Sequence, residues 1–278
     1  MKPAAFDYVR AESAAEALEV LHAEGAGARV LAGGQSLLPM LNMRLARPAL
    51  LVDIMHVPAL RRVAETAGRI TIGAAVRQHE MQASPELSRL RLLRAALPWV
   101  GHLQTRTRGT LCGSVAHADP SAEIPLVMVA LGGTVHLRSR RRARQLAASD
   151  FFAGMMTTAC EPDEMIEAIS LPADTAATSY TFREVGRRHG DFAIVACAAV
   201  VTARTAALVV GGVADRPIAR SMPLPGSKGD AQALDDALND FAWDLDARDD
   251  LHATARYRRD LVRSLGRAVV EEAARCRV

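Results

Sequence analysis

The segment Arg29-Val30-Leu31-Ala32-Gly33-Gly34-Gln35-Ser36-Leu37 runs a short apolar strand straight into two glycines and then two side-chain donors. Without Cβ atoms, Gly33 and Gly34 can aim consecutive main-chain N–H groups into one concavity and let an anion approach the backbone closely. No Lys follows, so this is not a Walker A loop, and the spacing is not GxGxxG, so it is not the Rossmann fingerprint. Taken alone, Gly-Gly after a strand is more often an ordinary turn.

A second segment carries the same chemistry. In Gly109-Thr110-Leu111-Cys112-Gly113-Ser114, glycines alternate with hydroxyl and thiol side chains ahead of a helix, and Glu123 supplies a carboxylate suited to ribose hydroxyls or adenine. Two such loops suggest a dinucleotide. Between them and Glu123, Asp119 before Pro120 and Ser121 reads equally as a simple helix cap. His117 has no recognisable nucleophile or metal partner, which favours a structural role. A third segment, running from Phe182 through Arg187, Asp191 and Phe192 to Ala193, is a charged loop between apolar strands, and such loops are usually only solvated.

Composition bounds these readings. Half of the 278 residues are hydrophobic and 23% are charged, enough for a core in one or two domains and against intrinsic disorder. The net charge is only +3, and the run of arginines at 138–144, entered by alternating Val135 and Leu137, reads as a hairpin turn rather than a nucleic-acid patch. The first residues lack an apolar leader region, and no stretch approaches the ~18 apolar residues of a spanning helix. Four scattered cysteines, Cys112, Cys160, Cys197 and Cys276, show no ligand spacing. The expectation is a reduced, cytoplasmic protein with no metal of its own, no nucleic-acid partner and no transmembrane segment.

Along the chain, a strand at 6–9 precedes Ser13-Ala14-Ala15-Glu16, a capping box opening a helix with Ala17, Leu18 and Leu21 inward and Gly25 and Gly27 at its end. Strands at 29–32 and 50–54 complete a small β-α-β-β unit. A strand then restarts at 69–72. Ser84-Pro85 opens a helix to about 96, a looser stretch covers 99–118, an apolar helix covers 122–131, and strands lie at 134–137 and 165–171. Residues 172–178 are the best linker. Beyond it come strands at 180–185, 193–202 and 206–213, and a tail of helical spacing from 230.

Taken together in this order and spacing, the three loops carry a resemblance. With Gly211-Gly212-Val213-Ala214-Asp215-Arg216-Pro217, Asp250-Leu251-His252-Ala253-Thr254 and Tyr257-Arg258-Arg259, the chain resembles, over its whole length, the medium, FAD-binding subunit of the molybdenum hydroxylases. That family includes bacterial carbon monoxide dehydrogenase and xanthine dehydrogenase.

The resemblance implies an α+β fold: a vanillyl-alcohol-oxidase-like FAD-binding domain at 1–174, with subdomains of about 1–57 and 58–174, and a smaller domain at 178–278 with a three-stranded antiparallel sheet and helices. It implies that Val30, Leu31, Ala32, Gly33, Gly34, Gln35, Ser36 and Leu37 wrap the FAD pyrophosphate. Thr110, Leu111, Cys112, Gly113 and Ser114 hold its other side, and Glu123 contacts the adenosine half. Val100, Gly101, Ile166 and Arg183 lie along the cofactor, and the loop bearing Arg187, Asp191 and Phe192 approaches the flavin ring.

The implied partners are a large molybdopterin-binding subunit and a small subunit with two [2Fe–2S] clusters, as a dimer of heterotrimers. This chain's FAD would collect electrons and pass them to an external acceptor, while the complex hydroxylates a small substrate, weakly favoured as an N-heteroaromatic. A stand-alone FAD oxidase and a non-catalytic subunit that has lost FAD are the alternatives. The chain departs from the family at Cys112, where glycine is usual, and in a shorter turn near Ala203-Arg204.

Overall fold

The computed structural model describes residues 2–225 and 230–276. In the amino-terminal unit, β1 (Asp7–Arg10), α1 (Ala14–Glu24), β2 (Ala28–Leu31), α2 (Leu37–Asn42) and β3 (Leu50–Asp53) form a parallel three-stranded sheet in the order β1-β3-β2. Only half of the expected capping box forms at the start of α1, because Glu16 turns to the residue before the cap. Ser13 Oγ accepts from the Glu16 amide at 3.1 Å, and the Glu16 carboxylate reaches back to the Glu12 amide at 2.8 Å. Ala17, Leu18 and Leu21 are buried, as their spacing predicts.

The second unit begins with β4 (Val63–Thr66), β5 (Arg69–Gly73), α3 (Gln78–Ala83), α4 (Arg91–Ala96), α5 (Leu103–Arg106), α6 (Leu111–His117) and α7 (Glu123–Ala130). It continues with β6 (Thr134–Arg138), β7 (Ala143–Ala147), α8 (Ala148–Phe151), β8 (Phe152–Gly154), β9 (Thr157–Thr158) and β10 (Met165–Pro172). Its five-stranded sheet has the order β4-β5-β10-β6-β7. The helix expected from Ser84 is two pieces: a 3-10 turn at Pro85–Arg89, a break at Leu90 with φ −133° and ψ 66°, then α4. The stretch expected to be loose holds two short helices, α5 and α6. The arginine run is a hairpin turn between β6 and β7, with Arg138, Arg140 and Arg142 paired to Glu167, Glu19 and Glu161.

The connecting segment is pinned rather than loose. Arg91 donates from its amide to Asp174 at 2.6 Å and from its guanidinium to the Thr175 and Thr178 carbonyls at 2.9 and 2.7 Å. Beyond it, β11 (Ser179–Val185), β12 (Val195–Val201), β13 (Ala206–Gly211) and β14 (Ile218–Met222) form an antiparallel meander, followed by α9 (Asp230–Asp244) and α10 (Ala255–Arg275). This sheet has four strands, not the expected three. The fourth, β14, pairs on one side only and alternates half-exposed with exposed positions, so it lacks the apolar run that marks the central strands. One face of the sheet packs on α9 and α10 around Phe241, Val262 and Val269, and the other on α4 and α7.

Candidate functional site

A cleft of about 950 Å³ opens where the carboxyl end of β2, the start of α6 and the β11–β12 connection meet. That volume is at the upper end for small-molecule and cofactor sites. The two glycine loops form one wall. Gly33 lies against the main chain of Arg108 and Gly109, and Gly34 adopts φ +70°, so a Cβ is excluded by contact at the first and by strain at the second. The Gln35 side-chain amide folds back to donate to the Gly33 carbonyl at 3.1 Å, and the loop ends in the first turn of α2.

On the other loop, Thr110 caps its own helix, accepting from the Gly113 amide at 2.9 Å. Its hydroxyl hydrogen is still a donor, which adds to the main-chain N–H groups of the first turn as the loop's means of holding an anion. Cys112 is buried, its Sγ donating to the Ile72 carbonyl at 3.6 Å, and burial pushes the thiol up to about 12. It stays an uncharged packing group turned toward β5, and so does not place a thiolate beside a phosphate. Asp119 closes a turn onto the Ser121 amide at 2.8 Å and does not cap α7, whose cap position is Ala122.

Of the expected residues, Val30, Ala32, Gly33, Gly34, Gln35, Ser36 and Leu37 line the cleft. Val100, Gly101, Thr110, Cys112, Gly113, Ser114, Glu123 and Ile166 line it as well, and Asp191 and Phe192 reach it from the carboxy-terminal unit. The turn at Val100 and Gly101 is held by Arg106, whose guanidinium donates to both carbonyls at 3.0 and 2.9 Å. Ile166 sits at a bulge in β10. The loop bearing Asp191 docks by stacking His189 on Trp99 at 4.9 Å between ring centroids and by seating Gly190, φ +88°, against the His102 ring.

Four expected residues lie elsewhere. Leu111 is fully buried in the core and Leu31 packs behind Gly34. Arg187 is exposed and does not line the cleft. Arg183 faces the opposite side of the sheet, where its guanidinium pairs with Glu272 of α10 at 2.7 Å, because neighbouring positions on a strand point to opposite faces.

Sequence reasoning missed several lining residues. Gln78 is 4% exposed, and its Oε1 is buried without a hydrogen-bond partner. Arg29 and Arg47 bring positive charge to the cleft, His117 lines it from the last turn of α6, and Cys160 and Glu164 line it too. Glu123 is 4% exposed, and burial raises its carboxyl to about 7, reinforced by Asp119. An orphaned amide oxygen, a buried carboxyl and a cradle that any Cβ would fill fit a dinucleotide with a hydroxyl-rich and an anionic part.

Comparison with known proteins bears on the whole chain. Residues 4–174 match the family described as the FAD binding domain in molybdopterin dehydrogenase, and residues 180–273 match the CO dehydrogenase flavoprotein C-terminal domain. The chain belongs to the FAD-binding medium subunits of the molybdenum hydroxylase family. This flavoprotein subunit is 36% identical over 275 residues to the 6-hydroxypseudooxynicotine dehydrogenase complex subunit alpha of Paenarthrobacter nicotinovorans, covering 95% of this chain and 93% of the relative. It is 33% identical to the carbon monoxide dehydrogenase medium chain of Afipia carboxidovorans, covering 98% of each. In structure it is similar to quinoline 2-oxidoreductase from Pseudomonas putida 86, with a TM-score of 0.92, 33% identity and 99% of each chain covered. The flavoprotein subunit is thus an oxidoreductase component with FAD as its cofactor. Among the described residues no helix is long and apolar enough to cross a membrane.

Proposed function

We propose that this subunit takes electrons from [2Fe–2S] clusters of a small partner subunit and hands them from FAD to an external acceptor, while a large molybdopterin-binding subunit hydroxylates an N-heteroaromatic substrate. The observation that carries the reading is the seat of Gly33 on the main chain of Arg108 and Gly109, which joins both glycine loops into one cradle. FAD supplies the chemistry that suits this position, since it accepts electrons singly and delivers one or two.

The chain's own residues would bind and orient. The Gly33–Gly34 loop and the first turn of α6 would take the pyrophosphate through main-chain N–H groups, with Arg29 and Arg47 drawing the anion in. Glu123 and Gln78 would meet hydroxyl or amine donors of the adenosine half. Val100, Gly101 and Ile166 would flank the cofactor, and Asp191 and Phe192 would stand at its ring end, Phe192 being 60% exposed and free to cover it.

The same proposal divides the chain into an FAD-binding domain at 1–174, in two parts near 57, and a C-terminal flavoprotein domain at 178–278, supported by four sheets that each fall within one part. It places the subunit in a dimer of heterotrimers. The substrate class is supported by relatives named for nicotine, caffeine and quinoline. A cytoplasmic setting is supported by four free cysteines, as expected of a reducing compartment.

The test is purification of the native complex, its visible spectrum, release of the cofactor by heat, and anaerobic addition of candidate heterocycles. Released FAD, with flavin bleaching only when iron–sulfur partners are present, is the expected result. A colourless chain, alone and in any complex, sinks the reading.

A further inference from the structure

Arg106 closes α5 and folds its side chain back over the turn that leads into that helix. Its Nη1 donates to three main-chain carbonyls, those of Pro98, Val100 and Gly101, at 3.4, 3.0 and 2.9 Å, while Nε donates to Gln82 Oε1 at 3.2 Å. Three carbonyl dipoles turned toward one point repel one another, so the turn keeps this shape only with a cationic donor at its centre. Gly101, at φ +51°, completes the bend.

The same turn receives a loop of the carboxy-terminal unit. Gly190, at φ +88°, sits so close that a Cβ there would lie 3.0 Å from the Gly101 carbonyl oxygen and 2.6 Å from the His102 ring. Beside it, His189 stacks on Trp99 at 4.9 Å between ring centroids. The Gly101 carbonyl thus both accepts from Arg106 and carries Gly190. The next two residues of the loop, Asp191 and Phe192, line the cleft.

We propose that Arg106 is a positioning residue for the flavin: it fixes the turn at 98–102 on which the loop of Asp191 and Phe192 is seated, and so sets how near the Asp191 carboxylate stands to the isoalloxazine ring. The inference rests on FAD as the occupant, with its ring beside Asp191 and Phe192. Arg106 does not itself line the cleft, so it acts through the carbonyls it holds. A carboxylate fixed close to a flavin bears on the charge that the ring gains on reduction, and the effect weakens as the distance grows.

The experiment uses the native complex with its flavin and the full chain without it. Flavin midpoint potentials are measured by anaerobic dye equilibration for wild type, Asp191→Asn, Arg106→Met and the double variant. A carboxylate near the ring disfavours the added electrons, so Asp191→Asn is expected to raise the potential of the otherwise wild-type protein. With Met at 106 the same step is expected to shrink to about half or less, because the loop is no longer held in place. Each step compares two proteins alike at position 106, so the lost Arg106 charge cancels. Equal steps in the two backgrounds would overturn the proposal. Arg106→Lys, which keeps the charge without the planar fork, takes the place of the Met variant if that one retains no flavin, and the same comparison decides.

Amide exchange in the FAD-free chain judges the seat apart from the flavin. The Asp191 and Ile194 amides donate to the Arg188 and Val185 carbonyls at 3.1 and 2.7 Å. Both are expected to exchange about tenfold faster in Arg106→Met than in wild type. Unchanged rates would show that Arg106 does not hold the loop. If the complex holds no flavin, or Asp191→Asn leaves the wild-type potential where it was, the functional reading of the ring end fails, and exchange alone decides whether Arg106 seats the loop.

Discussion

Gly33 packs on the main chain of Arg108 so tightly that a methyl group there would strike the Arg108 carbonyl oxygen and come within 2.6 Å of the Gly109 α-carbon. The neighbour is backbone and cannot swing aside, so the two loops would have to part. Overpacking of this kind costs about 1–3 kcal/mol. In Gly33→Ala, FAD content after gel filtration, read as the ratio of flavin to protein absorbance, is expected to fall about tenfold or more. Full retention of flavin would show that the junction of the loops does not form the cofactor seat.

Arg258 fastens the carboxy-terminal motif to the cleft. It is 5% exposed and donates to the Ile194 carbonyl at 2.7 Å and the Gly212 carbonyl at 2.6 Å, while pairing with Asp250. The Gly212 amide in turn donates to the Pro120 carbonyl at 2.7 Å, next to the second glycine loop. Arg258→Met removes all three partners and leaves two buried carbonyls unpaired, at about 1–3 kcal/mol for each. A loss of about 3 kcal/mol in urea unfolding is expected. A loss below about 1 kcal/mol would mean that water replaces the guanidinium.

Glu164 has a fully buried side chain and takes two hydrogen bonds from Arg144, at 2.8 and 2.6 Å. Burial alone would raise its carboxyl, but the Arg144 hydrogen bonds and the Glu161 amide outweigh it and hold it below the ordinary range. A depressed native pKa contributes stability above the unfolded value that is lost as pH falls through the native one. Arg144→Met is expected to cost about 3 kcal/mol at neutral pH by stranding the carboxylate. The gap should narrow in acid, as pH falls through the depressed native value. Denaturation at the two pH values checks it, and a constant gap would rule out the ion pair as its source.

Three of the four cysteines should be inert. Cys112 and Cys197 are buried and Cys160 is half-buried, and burial pushes each thiol up to about 12, so almost no thiolate exists at pH 8 to attack an alkylating reagent. Iodoacetamide on the native protein, followed by peptide mass spectrometry, is expected to modify the exposed Cys276 first. Early modification of Cys112 would show that its loop opens.

Local signals were legible where they act within a few residues. The Ser13 cap, the inward face of α1, the strand leading into Gly33 and the hairpin at the arginine run follow from side-chain chemistry at short range. Helix breaks were not legible. Leu90 interrupts an expected helix while Asp174, distant in the chain, takes the Arg91 amide, and no local pattern announces that contact. The strand β14 was missed for a related reason, since an edge strand is held by one neighbour and needs little apolar sequence.

For the cleft, the sequence by itself determined the chemistry: two glycine loops able to cradle an anion, a carboxylate downstream, and motifs in an order that identifies an FAD-binding subunit. Only the tertiary structure decided which side chains face it. Arg183 and Glu184 are adjacent in β11, yet one pairs with Glu272 on the outer helix and the other turns a carboxylate oxygen into the interior. Strand alternation sends neighbours to opposite faces, and which face meets the cleft is settled only when the carboxy-terminal sheet packs on α4 and α7.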